Sequence, residues 1–211
     1  MSIRQPDRRP RPYSIERRDQ LVALASAVRQ EVIDTLQAAG PRSAAEVARL
    51  MGRPPDALYY HLRKLLAVGL VVVRENRRRG RRMETVYDLV GRPLSLRYPD
   101  PSEAHGHPLP RLVRAMTRTA ERDFQTALGN GSPRPTGRSR NLWAGRRHAW
   151  LTATDLHRMN VLIDALTGLM TRSRDPGRGE LCTLTLVLAP RDSRSGRRSR
   201  RHSTSRPAGR P

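Results

Sequence analysis

The sequence predicts a mainly α fold with a small β component (α+β): a winged helix-turn-helix, then a helical dimerisation or effector region that ends in a C-terminal strand. Three patterns predict it. Apolar residues recur at helical spacing from Leu21 to Leu66, β-branched residues take over at Leu70, and helical spacing resumes at Leu109.

The 211 residues leave room for one or two modest domains. No stretch approaches the roughly 20 apolar residues needed to cross a membrane. The opening MSIRQPDRRPRPYS is basic but lacks the apolar core of a secretory signal, so a cytoplasmic protein without membrane attachment is expected. Cys182 is the single cysteine, which excludes an internal disulfide and a multi-cysteine zinc site; it reads as a small buried hydrophobe. Forty-one Lys and Arg against nineteen Asp and Glu give a formal net charge of +22, a field that favours a polyanion such as nucleic acid. Only Lys64 is a lysine, and Ala, Gly and Pro are abundant. Part of the charge therefore reflects a bias toward arginine codons.

Residues 1–18 are Arg- and Pro-rich without apolar period and read as a disordered basic arm. Residues 19–95 hold the winged helix-turn-helix, and a first helix places Leu21, Leu24, Val28, Val32, Ile33 and Leu36 on one side before Gly40-Pro41 stops it. Ser43 and Glu46 form a capping box that opens a short helix through Val47, Ala48, Leu50 and Met51, which Gly52 ends. Pro54 and Pro55 then occupy a first turn that tolerates missing amide donors, and a second helix runs over 56–68 to Gly69. Two short helices joined by a Gly-containing turn are the pattern of a helix-turn-helix. LVVVRE and METVYDLV make a hairpin with Met83, Thr85, Tyr87 and Leu89 alternating, and its tip, 74–82, holds six Arg against Glu75.

On a helical wheel the second helix of the pair puts Leu58, Leu62, Leu65 and Leu66 on one stripe and Arg53, Asp56, Ala57, Tyr60, Arg63 and Lys64 away from it. A major groove admits one such helix, N-terminal residues nearest the base edges. Arg53 suits guanine O6 and N7, Asp56 a cytosine amine and Ala57 a thymine methyl. Tyr60 is the fourth base-proximal candidate, Tyr59 lies at the wheel boundary, and Tyr60, Arg63 and Lys64 offer phosphate donors further along. Ser43 is counted with the DNA-facing set, as are Arg77, Arg78, Arg79, Arg81 and Arg82 of the wing, which suit the backbone or a narrow minor groove. His61, at the edge of the Leu stripe, reads as a partly buried spacer.

The run LASAVRQEVIDTLQAAGPRSAAEVARLMGRPPDALYYHLRKLLAVGLVVV resembles the winged helix-turn-helix of the ArsR-like superfamily of bacterial repressors, most closely over Leu58 to Val71. The resemblance implies a homodimer, operator binding, and repression relieved or imposed by a signal. Metal-sensing members carry paired Cys or His/Asp ligands near this motif, whereas SAAEVARLMG offers neither thiol nor imidazole, so no metal or other cofactor is expected. His105 and His107 lie in a Pro-rich linker without further clustered ligands.

The stretch from Gly91 to Pro110 divides off a second piece, 109–190. Leu112, Met116, Ala120 and Phe124 make an amphipathic helix whose apolar side suits a subunit twin. Thr152 and Asp155 open another helix through Leu169 and Met170, and LCTLTLVLAP, 181–190, reads as a buried strand. These elements suit a dimer interface, a pocket for a small-molecule or protein effector, or both; Trp143 and Trp150 read as packing residues. Residues 191–211, with eight Arg and one Asp, read as a disordered tail. No phosphate-cradling Gly loop, HExxH, GxSxG or paired cysteine appears, so no enzyme is expected. The competing reading is a nonspecific nucleoid-type or RNA-binding basic protein.

Overall fold

The computed structural model describes residues 11–100, 102, 105–129, 133–172 and 179–191. The elements are β1 (Tyr13–Ile15), α1 (Arg18–Leu24), α2 (Ala27–Ala39), β2 (Arg42–Ser43), α3 (Ala44–Leu50), α4 (Asp56–Ala67), β3 (Val71–Arg79), β4 (Arg82–Leu89), β5 (Leu94–Leu96), α5 (Leu109–Gly129) and α6 (Ala153–Arg172). This is a winged helix-turn-helix with a helical region after it. The expected tails over 1–10 and 192–211 lie outside the described residues.

The single first helix expected from Leu21 to Leu36 is two. Ser26 is extended (φ −115°, ψ 123°) and starts α2 afresh. Its apolar spacing continues across the break, which hides the break from periodicity. Side chains of α2 satisfy the carbonyls that the break strands: Arg29 Nε donates to Ala23 O, and Gln30 Nε2 donates to Leu24 O at 2.7 Å.

Leu21, Leu24, Val32, Ile33, Leu36, Val47, Ala48, Leu58, Leu62, Leu65, Leu70, Val71 and Leu89 form one buried cluster between α1–α4 and the base of the hairpin. Burial of each large side chain contributes roughly 1.5–3 kcal/mol. Two corrections concern its edges. Residues 13–15, expected within a disordered arm, form a strand paired in parallel with β5, and Ile15 joins the core. Leu112 joins it as well, because the first half of α5 lies on α1 and α2, burying Leu112, Ala115 and Thr119; Gln30 Nε2 donates to Leu112 O at 3.1 Å. The first half of the apolar side of α5, expected to meet a subunit twin, is thus covered from within, whereas Phe124 is only half-buried and Leu128 is exposed.

The second sheet has the order β2-β4-β3. Its hairpin turns through Gly80 and Arg81, and Gly80 has a φ of +60°, the demand of a two-residue turn with glycine first. A bulge between Val73 and Glu75 shifts the register of β3; along β4 Val86 and Leu89 are buried while Met83 is exposed.

Beyond α5 the expectations of burial fail. Residues 181–190 form no strand among the described residues, since none of the strands present pairs with them, and Cys182, Trp143 and Trp150 are exposed. No described helix is long and apolar enough to cross a membrane.

Candidate nucleic-acid interface

The capping box forms as the sequence predicts: Glu46 N donates to Ser43 Oγ at 3.3 Å and Ser43 N donates to Glu46 Oε2 at 2.9 Å. Such a cap is worth about 1 kcal/mol. The same geometry removes Ser43 from the DNA-facing set, because it is fully buried between the cap and its pairing with Val86. Met51 to Pro55, with Gly52 at φ +61°, turn the chain into α4.

α4 separates cleanly. Leu58, Leu62 and Leu65 are at most 1% exposed, whereas Asp56, Ala57, Tyr59, Tyr60, Arg63 and Lys64 are exposed. Lys64 Nζ stands 5.7 Å from the centre of the Tyr60 ring, and Tyr60 meets His61 edge-to-face at 5.4 Å. These contacts order the polar side without covering it. His61 is half-buried, and burial together with the nearby Arg29 and Arg53 charges holds its pKa below the usual range. Tyr59 shares a shallow groove with Ala44, Ala45, Met83, Thr85 and Tyr87, so the exposed side of α4 runs on into the wing.

Two arginines of the predicted set are engaged elsewhere. Arg53, expected to fork onto guanine, donates instead to Glu31 Oε2 of α2 at 2.9 Å. Arg77 lies 2.7 Å from Glu46 and 3.1 Å from Glu84. The wing tip keeps Arg78 and Arg81 exposed, with Arg78 Nε donating to Gly80 O at 3.1 Å. Arg79 is exposed and 3.9 Å from Glu84. The backbone of Arg82 pairs with Arg79 at the hairpin end; its side chain lies outside the described set.

Residues 24–74 match the family model of a helix-turn-helix domain. The chain carries a DNA-binding helix-turn-helix of the kind found in transcription regulators. Among solved structures it is similar to a double mutant of Lactococcus lactis ZitR in apo form, at 16% identity and a TM-score of 0.24 over 67% of this chain and 81% of that one. A second structure of that mutant gives 17% identity and a TM-score of 0.23 over 67% and 73%. At such TM-scores the fold rests on the chain's own helices and strands. No curated protein matches the chain.

Around the helix-turn-helix, sequence reasoning missed the carboxylates. Glu31 accepts from Arg53 and, at 3.1 Å, from Arg122 of α5, so one side chain of α2 joins the turn before α4 to the helical region. Burial alone would raise the Glu46 pKa, but donation from the Ser43 backbone and from Arg77 outweighs it and lowers the pKa, keeping Glu46 ionised where α3 and the wing meet. The Ser43 hydroxyl and Arg77 likewise hold Glu84 down. A charge complement of either sign across 31/53 or 46/77 spans too many residues for local periodicity to find.

His107 Nδ1 accepts from Leu109 N at 3.2 Å at the start of α5, and among the described residues no three His, Cys, Asp or Glu side chains cluster as metal ligands.

Proposed function

We propose that the chain is a dimeric transcriptional repressor that lays α4 in the major groove of double-stranded DNA with its wing tip on the flanking backbone or minor groove. One observation carries this reading: six side chains able to meet bases or phosphates stand exposed on one side of a helix whose opposite side is sealed in the core. Asp56 and Ala57, at the N-terminal end, lie nearest the base edges; Tyr60, Arg63 and Lys64 set register on phosphates. Arg78, Arg79 and Arg81 extend the positive surface past the groove that Tyr59 shares with the wing. The protein works by binding rather than by catalysis, in the cytoplasm, without a cofactor, under a small-molecule or protein effector.

The test is binding to duplexes selected from the host genome. Tyr60→Ala combined with Arg63→Ala weakens binding about tenfold or more, roughly 1.4 kcal/mol, while thermal unfolding stays unchanged. Unchanged affinity would place another surface on the DNA. A nonspecific nucleoid-type binder would instead show a steep salt dependence with no preference among duplexes.

A further inference from the structure

α6 buries none of its side chains. Leu156, Met159, Ile163, Leu166 and Met170 recur at steps of three and four, the spacing of a helix that packs lengthwise on another helix. Leu162 and Leu169 widen the stripe and are 64% and 55% exposed. Residues 181–188 are uncovered too, with Cys182, Leu184, Leu186 and Leu188 alternating against Leu181, Thr183, Thr185 and Val187. Exposed apolar side chains in this number mark an interaction site.

The occupant follows from what the chain lacks and from its charge. The apolar side of the first half of α5 is already spent on α1 and α2. Outside the described residues the sequence adds only Met1, Ile3, Ala104 and Ala208 as apolar side chains besides proline, so those segments bring little that could cover α6. In a chain of net charge +22, α6 balances Asp155 and Asp164 against Arg158 and Arg172, and residues 181–190 carry no charge. This surface is where a second copy, equally basic, approaches without repulsion; a polyanion is drawn elsewhere.

Its layout also matches itself. Leu156 and Met170 lie equally far from Ile163, and Asp155 and Arg172 stand near opposite ends. A two-fold axis near Ile163 sets Leu156 against the partner subunit's Met170 and Asp155 toward the partner subunit's Arg172. At 1.5 Å per residue α6 is about 30 Å long and about 10 Å wide, so it offers roughly 300 Å² per copy. A stable interface takes about 800 Å² per partner. The helix alone falls short.

We propose that α6 and residues 181–188 together form the interface of a two-fold homodimer, α6 running antiparallel to its copy and residues 181–188 completing the buried area. This rests on the dimeric reading above and adds where the subunits meet.

Sedimentation of the full chain tests it, together with linkage of Ile163→Cys in a Cys182→Ser background. The linker is a short bismaleimide, because packed helix axes stand about 8–10 Å apart and a disulfide reaches only about 7 Å between Cα atoms. The expected result is a wild-type dimer, a linked dimer from Ile163→Cys and none from the outward Val161→Cys in the same background. Leu162→Glu with Leu166→Glu weakens the dimer about a hundredfold or more, since several leucines lose their burial. A wild-type dimer that neither links through Ile163→Cys nor dissociates with the glutamates overturns this interface and leaves the dimeric reading standing. A wild-type monomer at every concentration overturns both. If the glutamate variant misfolds, linkage through the folded Ile163→Cys chain decides.

Discussion

Glu31 and Glu46 each hold an arginine in place, one in the turn before α4 and one on the wing. Arg53 is about one-third exposed and ties the turn to α2, so its removal costs about 0.5–1 kcal/mol of stability, in the range of a partly screened pair. Arg63, fully on the open side, contributes nothing comparable to the fold. Opposite outcomes follow. Arg53→Ala lowers the urea midpoint and leaves DNA affinity within about twofold, whereas Arg63→Ala leaves the midpoint alone and reduces the slope of log affinity against log salt by about one. Denaturation and a salt titration on the same two proteins check this, and an exchange of the two phenotypes would return Arg53 to the DNA. Which arginine faces outward was visible in the helical wheel only for the helix itself. For Arg53 and Arg77 it depends on a carboxylate brought in by the fold, at a sequence distance no pattern bridges.

At the scale of elements, local signals carried far. The capping box, the Gly52 turn, the leucine stripe of α4 and the glycine-led hairpin turn are each written within a few residues, and each forms. What escaped is non-local. Tyr13–Ile15 is too short and too polar to announce a strand, and it exists because β5 lies beside it and Ile15 reaches the core. Gly91 permits that approach: a Cβ there would stand 2.3 Å from Arg11 O and 2.7 Å from Tyr13 Cβ. Gly91→Ala therefore pushes β1 away. The displacement also strains the bond from Gln20 Nε2 to the Tyr13 hydroxyl, now 2.8 Å long. The expected loss is about 1–3 kcal/mol in urea denaturation, with amide exchange quickening first at residues 13–15. Wild-type stability in this variant would mean that β1 does not lean on Gly91. The failed strand at 181–190 is the converse case: its composition suits a sheet, but a strand needs an edge to pair with, and composition does not supply one.

For the whole molecule, charge and recognition are divided between different parts of the chain. The polar side of α4 sets Asp56 against Arg63 and Lys64 and so adds only a small net attraction, whereas the last 21 residues alone bring eight Arg against one Asp. A residue that meets a base edge distinguishes one duplex from another; an arginine that meets only phosphate strengthens binding to all of them and is weakened by salt. Removing residues 191–211 should therefore leave the ranking of duplexes intact while flattening the salt dependence. Each phosphate no longer neutralised lowers the slope of log affinity against log salt by about 0.9, so contact by about half of the lost arginines flattens it by about 3 to 4. Competition binding at several salt concentrations reads both quantities at once. An altered ranking with an unchanged slope would mean that the tail reads sequence, and the division of labour between α4 and the basic remainder would have to be drawn differently.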